Sequence, residues 1–390
     1  MTNAECWPQG RHMSTSANVA PARGGATGRD PSECVARFEL RLTRFLGFDG
    51  QMLAPLPAFA REPGTLVQAY RDMTLTRQFD QRAVALQRTG RLGTYPSSLG
   101  QEATAVGVGA AMARSDVFLG TYRETGTMLV RGVQMRDILL YWSGDTRGMA
   151  HAGADAPVED FPLSVPIASH APHAVGVAYA LKMRHESRAV VCVLGDGATS
   201  KGDFYEALNA AGVWQLPLVF VVVNNHWAIS VPRSIQSHAQ TLAQKAIAAG
   251  IDGEQVDGND VVAVRHVIGE ALSSARMGYG PRLVEALTYR LCDHTTADDA
   301  RRYRLAAEVE KHQGLDPIAR LRGYLTTSGV WTNADEERLM TEHRQNIEAA
   351  VSGYLAVEPP PPGAMFEHLF ERLPRALEAQ RDALPGAMSS

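Results

Sequence analysis

The chain has 390 residues, of which 45% are hydrophobic and 21% are charged, and its formal net charge is −4 at pH 7. This length allows one large α/β domain or two ordinary domains, and the composition is typical of a soluble globular protein. The weak negative charge argues against binding to nucleic acid or to anionic membranes. The sequence contains no run of about 18 apolar residues, so we expect no membrane span.

The N-terminal region predicts no targeting signal. Residues 1–35 are rich in small residues, proline and arginine but lack the apolar stretch of a signal peptide, so we expect a disordered tail in which Met13 is a second candidate start. Residues 36–64 are expected to form an N-terminal extension. The cysteines show no CxxC spacing, which indicates reduced thiols in a cytoplasmic protein, and they are Cys6, Cys34, Cys192 and Cys292.

Helical patterns dominate the next part of the chain. Hydrophobic spacing predicts a long helix over residues 65–88, with Thr65 as a candidate N-cap. The small apolar residues at 100–114 predict a helix that packs tightly against a sheet. A further helix is predicted over 171–184, and Pro172 suits its first turn.

From residue 189 onward, predicted strands and helices alternate. The strands cover 189–194, 218–223, 254–256 and 282–289, and the helices between them cover 203–214, 241–249 and 260–277. Gly250 is expected to end the second of these helices, and Asp260 is expected to cap the third. The alternation predicts an α/β fold with a doubly wound, mainly parallel sheet and helices on both faces.

The C-terminal region is expected to be helical. A polar amphipathic helix is predicted over 334–350, and the prolines at 359–362 separate it from a last helix over 364–379. The apolar residues of the last helix lie outside the main pattern and are predicted to contact another subunit; they are Met365, Phe366, Leu369 and Phe370. The chain is thus divided into a main domain over 65–330 and a C-terminal segment over 331–390.

Two polar motifs follow two of the predicted strands. Gly195, Asp196 and Gly197 follow the strand at 189–194, and Asn225 ends the motif after the strand at 218–223. In an open parallel sheet, ligands bind outside the carboxyl ends of the strands. Glycines let backbone N–H groups approach an anion, whereas a carboxylate and an amide oxygen suit Mg²⁺. Either motif alone is usually an ordinary turn, but together they predict a site for a metal and a diphosphate.

The paired motifs resemble the thiamine diphosphate (ThDP) fingerprint. More widely, the chain resembles the E1 α subunits of heterotetrameric 2-oxo acid dehydrogenase complexes, from about residue 66 to residue 324 and more weakly to the C-terminus. The other motifs that carry the resemblance are Gly100-Gln101-Glu102-Ala103, Tyr122-Arg123, residues 161–167 (Phe-Pro-Leu-Ser-Val-Pro-Ile), residues 197–206 (Gly-Ala-Thr-Ser-Lys-Gly-Asp-Phe-Tyr-Glu), and residues 294–299 (His-Thr-Thr-Ala-Asp-Asp) followed by Tyr303-Arg304.

The resemblance implies a Mg²⁺ site at the two strand ends. Asp196 and the side chain of Asn225 would bind the ion, together with the backbone carbonyl of Trp227, and the ion would bridge two phosphate oxygens. Trp227 stands where relatives usually have Tyr, a change that a backbone ligand tolerates. The backbone N–H groups of Gly197 and Ala198 would face the diphosphate.

The resemblance also assigns residues to the rest of the cofactor. Tyr122 and Arg123 would reach the diphosphate, for which a guanidinium is well suited. Val165 and Ile167 would hold the aminopyrimidine through backbone groups and an apolar wedge, although by residue type alone they are ordinary core residues. Some relatives have a potassium site in this stretch, but here a histidine replaces an amide oxygen, which argues against the ion; the aligned residues are Ser164, Pro166, Ser169 and His170.

His294 opens a polar loop after the last predicted strand. A lone histidine in such a loop is usually solvated, but the resemblance implies that His294 contacts the diphosphate and assists acyl transfer to a lipoyl group. An imidazole can donate hydrogen bonds and carry protons near neutral pH. Thr295 takes the place of a regulatory phosphoserine in mitochondrial relatives, and nothing in the sequence indicates kinase control.

The resemblance implies that the glutamate that activates ThDP belongs to a separate β subunit, so we expect an α₂β₂ tetramer. It also implies that the acyl group is transferred to the lipoyl domain of an E2 acyltransferase. The expected reaction is oxidative decarboxylation of a small 2-oxo acid and reductive acylation of the lipoyl group. Pyruvate is the first candidate substrate, although the stretch 142–148 lacks the histidines frequent in pyruvate-type chains. The alternatives are 3-methyl-2-oxobutanoate, as in branched-chain enzymes, and less so acetoin. A non-catalytic scaffold is disfavoured because Asp196, Asn225 and His294 are all present.

Overall fold

The computed structural model describes residues 33–149, 159–367 and 369–384, and within them a six-stranded, fully parallel sheet forms the centre of the protein. The strands are β1 (Leu42–Thr43), β2 (Val117–Leu119), β3 (Val190–Gly195), β4 (Leu218–Asn224), β5 (Trp227–Ala228), β6 (Val231–Pro232), β7 (Asp252–Asp257) and β8 (Arg282–Leu287). The sheet order is β1-β7-β8-β4-β3-β2, while β5 and β6 form a separate antiparallel pair.

Thirteen helices of the α type accompany the strands in the described residues. They are α1 (Pro63–Arg88), α2 (Glu102–Ala111), α3 (Thr125–Val130), α4 (Met135–Trp142), α5 (His170–Met183), α6 (Gly202–Trp214), α7 (Arg233–Gln236), α8 (Lys245–Ala248), α9 (Val261–Arg276), α10 (Ala306–Gln313), α11 (Pro317–Thr327), α12 (Asn333–Leu355) and α13 (Arg375–Asp382).

Both faces of the sheet are buried at its central strands β3 and β4. Successive residues of a strand point to opposite faces, and in β3 Val191 and Val193 belong to one hydrophobic cluster while Val190 and Cys192 belong to another. The first cluster includes residues of α1, α4, α9 and α12, and the second includes residues of α5, α6 and α8. This two-sided burial explains why β3 and β4 are continuous apolar runs, and the predicted α/β fold class is confirmed.

The order of the sheet brings the two polar motifs together. β3 and β4 are parallel neighbours, with Gly195 opposite Val223, and β4 continues beside β8, with Asn224 opposite Leu287. The residues that follow these three strands therefore meet at one edge of the sheet. This edge is the place where an open parallel sheet binds ligands.

Two predictions about helix ends were right and one was wrong. Asp260 caps α9 by accepting hydrogen bonds from the N–H groups of Val262 and Ala263, and Gly250 has a positive φ of 65° after α8. Thr65 is not an N-cap, because α1 already begins at Pro63, whose fixed φ favours the first position of a helix.

The helix predicted over 241–249 was too long, because only α8 forms there. The reason lies in Glu285, whose carboxylate accepts hydrogen bonds from the N–H groups of Leu242 and Ala243 at 2.8 and 2.9 Å. These contacts hold the segment before α8 in a non-helical path. Pro172 lies in the first turn of α5, as expected.

The C-terminal region differs more from expectation. α12 extends to Leu355 and packs Ile347 and Val351 into the main core. The helix predicted over 364–379 was wrong, since a 3-10 turn covers Pro362–Phe366 and α13 begins only at Arg375. Pro374 explains the break, because proline lacks an N–H group and disfavours helical geometry in the preceding residue. Met365, Leu369 and Phe370 are exposed, and their contact with another subunit stays a prediction.

Several elements had no sequence prediction, namely β1, β2, β5, β6, α3, α4, α7, α10 and α11. From Leu40 onward the described residues form one compact unit, whereas residues 33–39 contain no helix or strand. Most of the predicted tail lies outside the described residues. None of the helices in the described ranges combines the length and hydrophobicity required to cross a membrane. Cys34, Cys192 and Cys292 form no disulfide with one another, and Cys6 lies outside the described part.

Candidate active site

A cavity of about 200 Å³ lies at the carboxyl ends of β3 and β4. Its walls include all but one of the residues predicted to bind cofactor or metal, namely Tyr122, Arg123, Ile167, Asp196, Gly197, Ala198, Asn225, Trp227 and His294. Val165 is the exception, since it is exposed and does not line the cavity. The sequence prediction gave Val165 a role through its backbone, and that role stays a prediction.

Asp196 is the first residue after β3 and is only 2% exposed. One carboxylate oxygen, Oδ2, is buried and has no hydrogen-bond partner among the described residues. Burial raises the pKa of Asp196 to about 6, because the charged form is poorly solvated there. A buried carboxylate oxygen without a partner is unfavourable by itself, but it is the type of ligand that a divalent cation requires.

Hydrogen bonds from neighbouring side chains hold the turn that carries Asp196. The backbone carbonyl of Asp196 accepts hydrogen bonds from Thr199 Oγ1 at 2.8 Å and from Gln236 Nε2 at 2.9 Å. Lys245 Nζ donates to the carbonyl of Thr199 at 2.6 Å. A side chain at Gly197 would place its Cβ 2.8 Å from the Cβ of Ala228. Only glycine therefore lets the backbone lie this close to the β5 segment.

Asn225 has a defined side-chain orientation. Its Oδ1 accepts from the backbone N–H of Trp227, and its Nδ2 donates to Gln101 Oε1, each over 3.2 Å. The carbonyl of Trp227, the third predicted metal ligand, accepts from Arg290 Nη1 at 3.2 Å. Within the described residues, no group of three or more His, Cys, Asp or Glu side chains is arranged to hold a metal. A cation here would thus rely on amide, carbonyl and phosphate oxygens besides Asp196.

The same cavity contains two buried arginines. Arg123 donates to the backbone carbonyls of Ser97 and His294, the latter at 2.8 Å. Arg290 is fully buried and donates to the carbonyl of Ile229 at 2.7 Å and to the hydroxyl of Tyr303 at 3.0 Å. These partners are neutral, and neither arginine forms an ion pair within the described part of the chain. Two uncompensated guanidinium groups make this side of the cavity suitable for a phosphate.

His294 lies next to both arginines. Its Nδ1 is 3.2 Å from Arg123 Nη2 and 3.4 Å from Arg290 Nη1. Burial, followed by the charges of the two arginines, lowers the pKa of His294 to about 4, so the imidazole is neutral at pH 7. The His294 loop is fixed by the carboxylate of Asp298, which accepts from the His294 N–H at 2.9 Å. The ring also meets Tyr122 edge to face, with 5.9 Å between ring centroids.

The oxygen atoms of the potential potassium site are hydrogen-bonded to one another. Ser164 Oγ is 2.9 Å from Ser169 Oγ, which donates to the carbonyl of Pro166 at 2.9 Å. His170 is buried, and its Nε2 contacts the carbonyl of Val193 at 2.8 Å. The absence of a potassium ion in this chain remains a prediction.

Gln101 and Arg290 are among the cavity residues that had no predicted role. Gln101 belongs to a motif that supported the resemblance, but its side chain had no assignment. Arg290 lies shortly after β8, which ends at Leu287, so its place near the end of a strand was the available signal. An arginine at the end of a strand is usually a surface residue, and the spacing alone does not indicate that Arg290 is fully buried.

Comparison with known proteins agrees with this geometry. Residues 70–360 match the dehydrogenase E1 component family. The 3-methyl-2-oxobutanoate dehydrogenase subunit alpha of Mycobacterium tuberculosis is 40% identical over 92% of this chain and 98% of the relative. The pyruvate dehydrogenase E1 component subunits alpha of Staphylococcus aureus and Mycoplasma genitalium are 37% and 34% identical, over 81% and 85% of this chain and 85% and 92% of the relatives. The resemblance drawn from the motifs is thereby confirmed, and the chain belongs to the dehydrogenase E1 component family, as a member of its α-subunit type.

Proposed function

We propose that the chain is the α subunit of the E1 component of a ThDP-dependent 2-oxo acid dehydrogenase complex. The observation that carries the proposal is the content of one cavity. Asp196 contributes a carboxylate oxygen that has no partner among the described residues. Arg123 and Arg290, which form no ion pair within the same residues, line the same space at the carboxyl edge of the sheet. A cofactor that binds as a diphosphate with a divalent cation would complement both charges: the cation would contact Asp196, and the diphosphate would contact the two arginines.

In this proposal, Asp196, the Asn225 amide and the Trp227 carbonyl hold Mg²⁺. Arg123 and Tyr122 bind the diphosphate, together with the backbone N–H groups of Gly197 and Ala198. Ile167 supports the ring system, and the backbone of Val165 contacts the aminopyrimidine. When bound, ThDP supplies the nucleophile and the electron sink for decarboxylation.

His294 is the residue of this chain proposed to act in acyl transfer. Because Arg123 and Arg290 both face Nδ1 with N–H donors, Nδ1 is the accepting nitrogen of the neutral ring, and Nε2 carries the proton and is left to donate a hydrogen bond. A bound anion would offset the charges of Arg123 and Arg290 and make protonation of His294 easier. The imidazole could then pass a proton to the accepting lipoyl sulfur, which is general acid catalysis.

The proposed partners are an E1 β subunit, in an α₂β₂ tetramer, and the lipoyl domain of an E2 acyltransferase. The word "subunit" in the names of the relatives supports a β partner. Apolar side chains near the cavity are also exposed, and a second subunit would cover them; they are Val165, Ile167 and Ile229. The proposed location is the cytoplasm.

The substrate is proposed to be a short 2-oxo acid. Pyruvate is the candidate favoured by the sequence, and 3-methyl-2-oxobutanoate is the substrate named for the relative that aligns over 98% of its length. The two acids differ in the size of the alkyl group attached to the keto carbon, which is larger in 3-methyl-2-oxobutanoate. The test is to co-express the full chain with its β subunit and to measure kcat/KM for each acid with a lipoyl domain as acceptor. A preference of at least tenfold identifies the substrate, and no turnover of either acid contradicts the proposal.

A further inference from the structure

Gln101 lies beside the proposed metal site and is held there by the fold. It is the N-cap residue of α2, and only 4% of it is exposed. Its backbone N–H donates to the carbonyl of Ser98 at 2.9 Å, and its own carbonyl accepts from Ala105 at 3.1 Å. The side chain lines the cavity that contains Asp196 and Arg123. Its position thus depends on the protein backbone and requires no ligand.

Hydrogen bonds determine which end of the Gln101 amide faces Asn225. The backbone N–H of Trp227 can only donate, so the Asn225 atom it contacts must be the oxygen, Oδ1. The other end of the Asn225 amide is therefore Nδ2, which can only donate. Its acceptor is Gln101 Oε1, at 3.2 Å. The remaining polar atom, Gln101 Nε2, must then be the nitrogen.

Gln101 Nε2 is a buried donor without a partner. It has no hydrogen bond within the described residues and is shielded from solvent. Buried amide groups nearly always have partners, so an unpartnered one at a cavity indicates a missing acceptor. In this cavity, Asp196 is suited to bind a cation and the two arginines are suited to bind an anion. An amide N–H₂ group would bind the anion.

We infer that Gln101 is an additional binding residue for the anionic part of the ligand, which is the diphosphate of ThDP. Its Nε2 donates to a phosphate oxygen, while its Oε1 holds Nδ2 of Asn225 and so leaves Asn225 Oδ1 available for the cation. One glutamine would thereby connect the two halves of the site. This inference rests on the proposed function, since it names a further contact in the same site.

Two substitutions separate the two ends of the amide. Gln101→Glu keeps an oxygen acceptor for Asn225 but replaces the nitrogen with a second oxygen. Gln101→Met keeps the length of the side chain and removes both polar groups. Gln81→Glu is the matched control, because it makes the same charge change at an exposed position on α1. Each variant is purified as the complex with the β subunit, and the Kd of ThDP is measured by calorimetry in excess Mg²⁺.

Loss of a hydrogen bond to a charged group should weaken ThDP binding roughly tenfold or more in both Gln101 variants. Gln101→Glu should be at least as weak as Gln101→Met, since it also adds a negative charge beside the phosphate. Gln81→Glu should bind like the wild type, and the cofactor-free complexes should unfold at the same temperature within a few degrees.

Other outcomes overturn the inference in distinguishable ways. Normal affinity of Gln101→Glu with weakened Gln101→Met would show that Gln101 only positions Asn225. Normal affinity of both would show that the amide contributes nothing to binding. Equal weakening in Gln81→Glu would assign the effect to net charge. If the wild-type complex binds no ThDP, the proposed function itself fails.

Discussion

The guanidinium of Arg123 contacts His294 twice. Its Nη2 lies 2.8 Å from the carbonyl oxygen of His294 and 3.2 Å from Nδ1 of the ring. Through this pair, the turn after β2 is tied to the polar loop after β8. The contact also places a titratable ring next to a permanent positive charge, which adds to the effect of burial in lowering the pKa of the ring.

The first prediction concerns the titration of His294. Its pKa in the cofactor-free protein is expected near 4, against an ordinary value of 6.5, because of burial and the two arginines. Bound diphosphate should raise this pKa by offsetting the arginine charges. NMR titration with and without ThDP, with His294→Gln to assign the signal, measures both values. A pKa that is ordinary in the free protein, or that falls on binding, contradicts the account.

The lowered pKa of His294 also predicts that the stability of the protein depends on pH. Because the folded pKa of His294 lies below the unfolded value, the unfolded chain binds a proton first as the pH falls. The free energy of unfolding should therefore decrease between pH 6.5 and pH 4, and His294→Gln should remove the part of this slope that His294 causes. Urea unfolding of the cofactor-free protein across this range is the measurement. Identical slopes in wild type and variant would show that His294 is not perturbed.

Another prediction separates decarboxylation from acyl transfer. His294→Ala should slow lipoyl acylation by roughly 10²–10⁴-fold, as expected for loss of a positioned acid or base. Decarboxylation with an artificial electron acceptor should be much less affected, because it does not require a proton for the lipoyl sulfur. The two assays on one preparation are controls for each other. Lipoyl acylation within a few-fold of the wild type would leave His294 without the proposed role.

Asp196→Ala should abolish Mg²⁺-dependent ThDP binding, because Asp196 is the carboxylate of the proposed ligand set. The cofactor-free variant should be at least as stable as the wild type, since the substitution removes a buried carboxylate oxygen without a partner. Calorimetry measures the ThDP affinity, and thermal unfolding measures the stability of the cofactor-free variant. Asp252→Ala, at the exposed start of β7, is the control. Normal ThDP affinity in Asp196→Ala would rule out the site.

Arg290→Met should destabilise the protein by roughly 1–3 kcal/mol, because it removes the donor from one buried and two partly buried hydrogen bonds. The acceptors of these bonds are the carbonyls of Trp227 and Ile229 and the hydroxyl of Tyr303. ThDP affinity should fall as well, since a positive charge leaves the cavity. Arg302→Met, an exposed arginine of the neighbouring 3-10 turn, should unfold like the wild type. Equal stability of both variants would contradict the role of Arg290.

The positions of site residues that directly follow a buried strand were the easiest to predict from the sequence. Asp196 and Asn225 follow apolar runs that are buried on both sides, so their position at one edge of a parallel sheet could be inferred without coordinates. The fully buried strands β3 and β4 were recognisable for the same reason. β2 has only three residues, Val117–Leu119, which is too short for any periodicity to show.

The sequence could not indicate contacts between distant side chains. Glu285 shortens the helix before Gly250 through hydrogen bonds from residues more than forty positions away. Arg290 is buried because it bonds to carbonyls of the β5 segment, and no local pattern encodes that. The orientation of the Gln101 amide depends on Asn225 and Trp227, two residues that are brought near it only by the order of the sheet.

The central claim is that this chain forms a ThDP site that works with a β subunit. The most direct measurement is Mg²⁺- and ThDP-dependent release of CO₂ from pyruvate and 3-methyl-2-oxobutanoate, for the chain alone and for the co-purified complex. The account predicts no release by the chain alone, release from at least one acid by the complex, and none by the complex with Asp196→Ala. Turnover by the chain alone, or undiminished turnover by the Asp196→Ala complex, would contradict it.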